Sequence, residues 1–359
     1  MAASERIAPR SRRRRRRVPT VTIHDVAARA GVSVATVSRV LGGKAELVRE
    51  ETSRQVLAVA KSLHYVPNVA ARSLSIRRSQ TIGIVLPDVH GEFFSEVIRG
   101  IDVAARKAGY HILVSGSHSD AGEMLEVLET MHGRVDGLVV MAPDVALASL
   151  REPLVPDLPL VLLNSADRDL DAITIDNYGG ARAMMRHLGE LGHARIAFIK
   201  GPQQNGDARE RLRGFRHAMR PHGGGAARVL EFDGDFTEES GYEAAKFIAA
   251  RKPRPTAIFA ANDSMAIGAL AALTDIGVAV PRAMSVAGFD DIPIARYVAP
   301  PLTTIRVDIA ELGRRAFALL LGALGGQGHL QHRQECIGTT LVVRKSSASP
   351  RARKKGEIS

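Results

Sequence analysis

The sequence predicts a small all-α head, a helix-turn-helix, followed by a long α/β body. Three observations carry this reading. Two capped, amphipathic segments flank a glycine between residues 21 and 41, and short β-rich runs alternate with helical stretches from Thr81 onward. Positive charge is concentrated in the first 80 residues.

In the head, Thr22 precedes Ile23-His24-Asp25, so its hydroxyl can cap the unpaired N–H groups of a helix start, and Asp25 sits favourably at the positive helix end. Ile23, Val26, Ala27 and Ala30 then form one apolar face, and Gly31 can adopt the left-handed turn that ends the helix. Ser33 can cap a second helix whose inward side is Val37, Val40 and Leu41. Its outward side, Ala35, Thr36, Ser38 and Arg39, is small enough for close approach to a major groove. A third helix, about Glu50–Leu63, is expected to pack through Thr52, Val56, Val59 and Leu63. After it, Val66-Pro67-Asn68 reads as another helix start, but Val69–Leu74 is too short to stay helical unaided in water.

Strands are expected at Ile82–Leu86, His111–Val114, Gly137–Met141, Leu160–Leu163, Ile196–Ile199, Ala257–Ala260 and Ser285–Ala287. Amphipathic helices are expected at Phe94–Ala108, Asn177–Leu191, Arg209–Met219 and Ser264–Ile276. Such alternation means parallel sheets covered by helices.

The chain carries 49 Lys and Arg against 38 Asp and Glu. Residues 1–80 hold 17 of the cations and 5 of the acids, leaving 32 against 33 in the rest. The basic excess therefore lies where phosphates would be met. Arg12–Arg17 reads either as a disordered arm adding nonspecific DNA affinity or as a dispensable stretch before the head. A lone cysteine, Cys336, excludes an intramolecular disulfide and suits a reducing cytosol. The amino terminus has charge without an apolar core, and no stretch reaches the ~18 apolar residues of a membrane span. The Ser/Pro- and Arg/Lys-rich tail from Ser346 reads as disordered and lacks coiled-coil heptads.

VTIHDVAARAGVSVATVSRVL and HYVPNVAARSL resemble the head of the lactose-repressor (LacI/GalR-type) family of bacterial transcription regulators. The likeness continues through IGIVLPD, DGLVVMAP, GHARIAFIKG, FAANDSMAIGAL and VAGFDDIPIARYVAPPLTTI, over about residues 20–345. It implies two Rossmann-like lobes of periplasmic-binding-protein type, with chain crossings near Asn177 and in the 300s. Ligand would bind between the lobes at the carboxyl ends of strands. The chain then divides into a basic disordered extension (1–20), a DNA-binding head (21–65), a hinge helix and linker (66–79), an effector-binding and dimerisation body (80–345) and a disordered basic tail (346–359).

By the same resemblance, Val34, Ala35 and Arg39 are expected at base edges. Arg can bind guanine O6 and N7 bidentately, while Val and Ala can meet a thymine methyl. Thr22, Ser33, Thr36 and Ser38 are expected at phosphate oxygens, which set register rather than sequence. Gly42-Gly43 stands where the family often has an asparagine, leaving any asparagine-mediated cap without a counterpart. Asn68, Ala71 and Leu74 are expected at the minor groove, with Leu74 wedged between bases at the centre of the site. The resemblance places the effector among Asp88, Phe93, Phe94, Asp176, Arg211, Asn262 and Asp290. Carboxylates, an amide and an arginine can hold hydroxyls, and an aromatic face can stack on a sugar ring. Asp263 is expected to cap a helix and Asp291 to be structural.

The expected function is a sequence-specific transcriptional regulator, a repressor, binding a pseudo-palindromic operator as a homodimer under control of a small-molecule effector, with a sugar or sugar derivative as first choice. The expected location is cytoplasmic, on nucleoid DNA, with no membrane partner. A purine fits less well, because Asn205 stands where a second cation could be offered. No catalytic group, cofactor or metal is expected: the twelve histidines are scattered, and no G-x-G-x-x-G follows the first strand. Two rivals remain. An extracytoplasmic sugar-binding protein is opposed by the missing leader and the fused head. An architectural nucleoid protein would coat DNA uniformly, without a metabolite-sensitive footprint.

Overall fold

Thr22 and Asp25 open the first helix with a reciprocal capping box. Asp25 N donates to the Thr22 hydroxyl, and Thr22 N donates to the Asp25 carboxylate at 2.8 Å, starting α1 (Ile23–Arg29). Gly31 makes the turn at φ 65°, where any Cβ is strained. Ser33 then caps α2 (Val34–Leu41) by accepting from Thr36 N at 3.1 Å. The third helix, α3 (Glu50–Ser62), closes the head, with Gln55 donating to the Ala30 carbonyl at the end of α1. Val26, Ala27, Ala30, Val37, Val40, Val56 and Ala60 make its core, with Val59 and Leu63 at the margin.

The computed structural model describes residues 21–42, 45–65, 78–143, 158–167, 169–219, 230–325 and 332–350. Two compact units result, Met1–Ser79 and Gln80–Ser359. The expected arm (1–20), the hinge residues Asn68, Ala71 and Leu74, and the end of the tail (351–359) lie outside the described residues.

The body holds two six-stranded sheets. Along the chain run β1 (Thr81–Leu86), β2 (His111–Gly116), β3 (Gly137–Met141), β4 (Leu160–Leu163), β5 (Asp171–Ile175) and β6 (Ile196–Ile199). They are followed by β7 (Leu230–Phe232), β8 (Ala257–Ala260), β9 (Ser285–Asp290), β10 (Thr303–Arg306), β11 (Gln334–Ile337) and β12 (Thr340–Val342). The first sheet has the order β11-β5-β4-β3-β1-β2 and the second β12-β10-β9-β8-β6-β7. Every pairing is parallel except β10 with β12. Helices on both faces explain why β3, β4, β6 and β8 are buried along their whole length and read as unbroken apolar runs. These helices are α4 (Glu92–Lys107), α5 (Ala121–Met131), α6 (Asn177–Glu190), α7 (Gly206–Ala218), α8 (Glu238–Ala250), α9 (Asp263–Asp275) and α10 (Ile309–Leu324).

Among the described residues the chain passes between lobes three times, near Asn177 and twice in the 300s. It crosses after β5 into α6, after β10 into α10, and again at Gly338-Thr339 between β11 and β12. The second crossing returns α10 to the first lobe, against α4. Gly100 permits that contact, since a Cβ there would lie 2.0 Å from the Ala310 carbonyl.

The tail departs from expectation. Residues 346–350 are packed rather than disordered, because their polar groups complete the second sheet. Ser346 is fully buried; its hydroxyl donates to the Val286 carbonyl at 2.6 Å and accepts from Thr303 N at 2.8 Å. Ala348 N donates to the Ser285 hydroxyl at 3.1 Å, and the Ala348 carbonyl lies 2.9 Å from Nε2 of the buried His193.

Candidate functional site

Parallel strands leave their carboxyl ends along one edge, and the loops that follow them line a cavity of about 490 Å³ between the two lobes. After β1 come Asp88, Phe93 and Phe94; β4 is followed by Asn164; β6, β8 and β9 lead to Asp207, Asn262 and Asp290. Of the expected effector residues, Asp88, Phe93, Phe94, Arg211, Asn262 and Asp290 are brought together here. The two phenylalanine rings meet edge-on with centroids 5.7 Å apart.

Asp176 is not in this lining. Its carboxylate accepts from Gly179 N at 2.8 Å, capping α6, so its role is structural rather than effector-binding. Asp263 also differs from expectation. Asn262 caps α9 by accepting from Met265 N at 2.9 Å, while the fully buried Asp263 accepts from the Thr304 hydroxyl and from Ile292 N. Asp291 is structural as expected, held by Arg306 and Arg344.

Arg211 organises the floor of the cleft. Its Nε donates to Asn177 Oδ1 at 2.8 Å, one terminal nitrogen to the Ala261 carbonyl at 2.6 Å, and the other to Asp290 Oδ1 at 2.9 Å. The guanidinium also lies over the Phe289 ring at 3.9 Å. Asp290 itself has φ 113°, a strained backbone held in place by these contacts.

The reading of the sequence missed Asp207. Its oxygens accept from Asn164 Nδ2 and Asn177 Nδ2, both at 2.7 Å, joining three elements that lie far apart in the chain. In sequence it looks only like an acidic residue in the first turn of a helix, and the nearby Asn205 is the cap, accepting from Ala208 N. Burial pushes the Asp290 carboxyl up to about 6 against the pull of Arg211, and burial raises Asp207 to about 6 against Arg211 and its two amide donors. Across the cleft mouth, Glu92 of the first lobe accepts from Ile294 N of the second at 2.9 Å.

In the head, Ala35, Ser38 and Arg39 are exposed on α2, whereas Thr36 and Val34 are half-buried and Val34 packs against the core. Three expected phosphate ligands already have engaged hydroxyls. The Thr22 hydroxyl donates to Asp25 at 2.8 Å, and the Ser33 hydroxyl lies 2.9 Å from that of Thr36 while capping the helix.

The family model for bacterial regulatory proteins of the lacI family matches residues 22–68, and that for a periplasmic binding protein-like domain matches residues 185–347. The chain is 37% identical over 334 residues to the HTH-type transcriptional repressor PurR of Pectobacterium carotovorum subsp. carotovorum (strain PC1), covering 91% of this chain and 97% of that protein. It is 34% identical over 333 residues to the repressor of the same name from Haemophilus influenzae (strain PittEE), covering 91% and 99%. Among solved structures, the lac repressor dimer bound to operator and the anti-inducer ONPF superposes with a TM-score of 0.81 at 30% identity, covering 91% of this chain and 99% of that one. A LacI family transcriptional regulator from Enterococcus faecium with bound ribose gives a TM-score of 0.68 at 26% identity, covering 75% and 99%.

Proposed function

This chain belongs to the lacI family of bacterial regulatory proteins, DNA-binding transcriptional repressors with an effector-binding body, and from that premise we propose that it binds a pseudo-palindromic operator as a homodimer under control of a sugar. In this reading α2 enters the major groove, one copy per half-site. Arg39 reads a guanine, Ala35 and the edge of Val34 meet thymine methyls, and Ser38 and Thr36 contact phosphate. Asn68, Ala71 and Leu74 are assigned to the minor groove at the centre of the site. The protein works on nucleoid DNA in the bacterial cytoplasm. Among the described residues, no helix is long and apolar enough to cross a membrane.

One observation carries the control element: a cavity of about 490 Å³ lies between two lobes, its floor a buried Arg–Asp pair and its wall two phenylalanines. A pyranose or furanose can lay its C–H face on an aromatic ring while its hydroxyls bond to Asp88, Asp207, Arg211 and Asp290. The ribose-bound neighbour supports a sugar, and Asn205 in place of a cation favours one over a purine. Effector and operator then alter each other's affinity by the same factor, typically ~5–150-fold.

Binding-site selection from a random duplex pool tests the DNA half, and two inverted half-sites are the expected outcome. Titrating the selected duplex with monosaccharides tests the rest. An operator affinity that no sugar changes would remove the sugar assignment.

A further inference from the structure

The charge of the cleft is lopsided. Six carboxylates line it, Asp88, Glu92, Asp207, Asp235, Glu238 and Asp290, whereas Arg211 is the one arginine or lysine among its described residues. That arginine has little to offer an anion. Three of its five N–H groups are taken by Asn177, the Ala261 carbonyl and Asp290, and its charge is matched inside a buried ion pair. Some of the neutral donors are also engaged. Asn262 gives its amide to the Phe236 carbonyl, and His118 bonds Glu123 through Nδ1. Acceptors, by contrast, are in surplus. Each Asp207 oxygen takes a single amide and can accept again, and the exposed Asp235, held by the Thr237 N–H and hydroxyl and by Ser240, brings a further carboxylate to the rim.

We propose that the effector is an uncharged or amine-bearing polyol, and that the cleft rejects the phosphorylated and carboxylated forms of the same skeleton, with Asp207 setting that choice. This rests on the reading above, that the effector sits between the lobes. Hydroxyls and ammonium groups donate into the surplus acceptors. A phosphate or carboxylate would instead shed its hydration beside like charges and find few N–H groups to replace the water. Asp207 is the pivot because it is tied to both lobes, through Asn164 at the end of β4 and Asn177 at the start of α6, and lies within electrostatic reach of Arg211 and Asp290.

The test uses the full chain and matched sets of probes by calorimetry: ribose with ribose 5-phosphate, and glucose and glucosamine with glucose 6-phosphate and gluconate. In at least one set the neutral or amine-bearing member should bind tenfold or more tightly than its anionic counterpart. Phe93→Ala should weaken that binding, which locates it in the cleft. Asp207→Asn should narrow the gap between the members, and the exposed Asp235→Asn, which leaves the Arg211 network intact, should narrow it in the same direction. An anionic member that binds as tightly as its neutral partner and is weakened by Phe93→Ala overturns the charge selection while leaving the cleft reading in place. Binding that ignores Phe93→Ala, or no binding in any set, overturns the cleft reading and this inference with it.

Discussion

Arg211 and Asp290 form a 2.9 Å ion pair in which both side chains are almost wholly buried, 4% and 6% exposed. A pair of this kind adds little over a well-packed apolar pair, but breaking it is costly because one charge is left behind. Arg211→Ala would also strip the Ala261 carbonyl and Asn177 of their donors. The body should lose roughly 3–5 kcal/mol of unfolding free energy, measured by urea titration. A loss below ~1 kcal/mol would show that the pair does not hold the cleft floor together. Effector binding by this variant is interpretable only where its fold survives, which is why Phe93→Ala is the better probe of the cleft.

Stability should depend on pH in two opposed ways. Asp207 and Asp290 are raised to about 6 in the folded chain, so between pH ~4 and ~6 the folded state keeps protons that the unfolded chain has released. Stability from these groups is present at the acid end and is lost as pH rises through about 6. His187 and His193 are lowered by burial, so the unfolded chain binds protons more readily, and their contribution, complete above ~6.5, is lost as pH falls below that value toward their lowered folded values. Urea midpoints from pH 4.5 to 7.5 should therefore fall less steeply toward neutrality in Asp207→Asn, and less steeply toward acid in His193→Gln. Curves parallel to the parent would contradict both shifts.

What the sequence revealed depended on how local each cause was. Capping at Thr22 and Ser33 and the turn at Gly31 are decided within a few residues, and all three stand as read. Strands β3, β4, β6 and β8 were legible to the residue because each is an apolar run buried on both faces. Strands β11 and β12 were not. They are short, partly exposed and defined by partners far away in the chain, β5 and β10. The same limit governs the cleft. Arg211 and Asp290 sit in recognisable motifs, but Asp207 gains its place only through Asn164 and Asn177, and no spacing along the chain reports that meeting. Asp176 misled for the opposite reason: TIDN marks the crossing into α6, and the carboxylate is used up by the helix it starts.

In the head, Arg39→Ala and Leu74→Ala should fail differently. Arg39 is exposed on α2, so its loss should cost about 1–3 kcal/mol on the selected operator and relax the preference at one base pair per half-site. Leu74→Ala should weaken the operator far more than random duplex, because wedging matters only where the duplex is kinked. Anisotropy titrations on both duplexes distinguish the two. Equal losses on operator and random DNA for either variant would remove its assigned role.

Ending the chain after Lys345 tests whether the last packed residues belong to the fold. Ser346 is fully buried and serves the Val286 carbonyl and Thr303 N, while Ser347 meets the Thr303 hydroxyl and His187. Ala348 supplies a carbonyl to His193 and to the Ser285 hydroxyl. Removing them leaves buried donors and acceptors of β9 and β10 unpaired, at ~1–3 kcal/mol for each group that water cannot reach. For a body of this size, 1 kcal/mol corresponds to ~2–4 °C, so Tm should fall by roughly 5 °C or more. The loss should reappear in smaller form in Ser346→Ala, which deletes one hydroxyl and keeps the backbone bonds from Ser346 N to the Pro301 carbonyl and from Val286 N to the Ser346 carbonyl. A truncated chain that melts with the parent would return this segment to the disordered tail that its composition suggested.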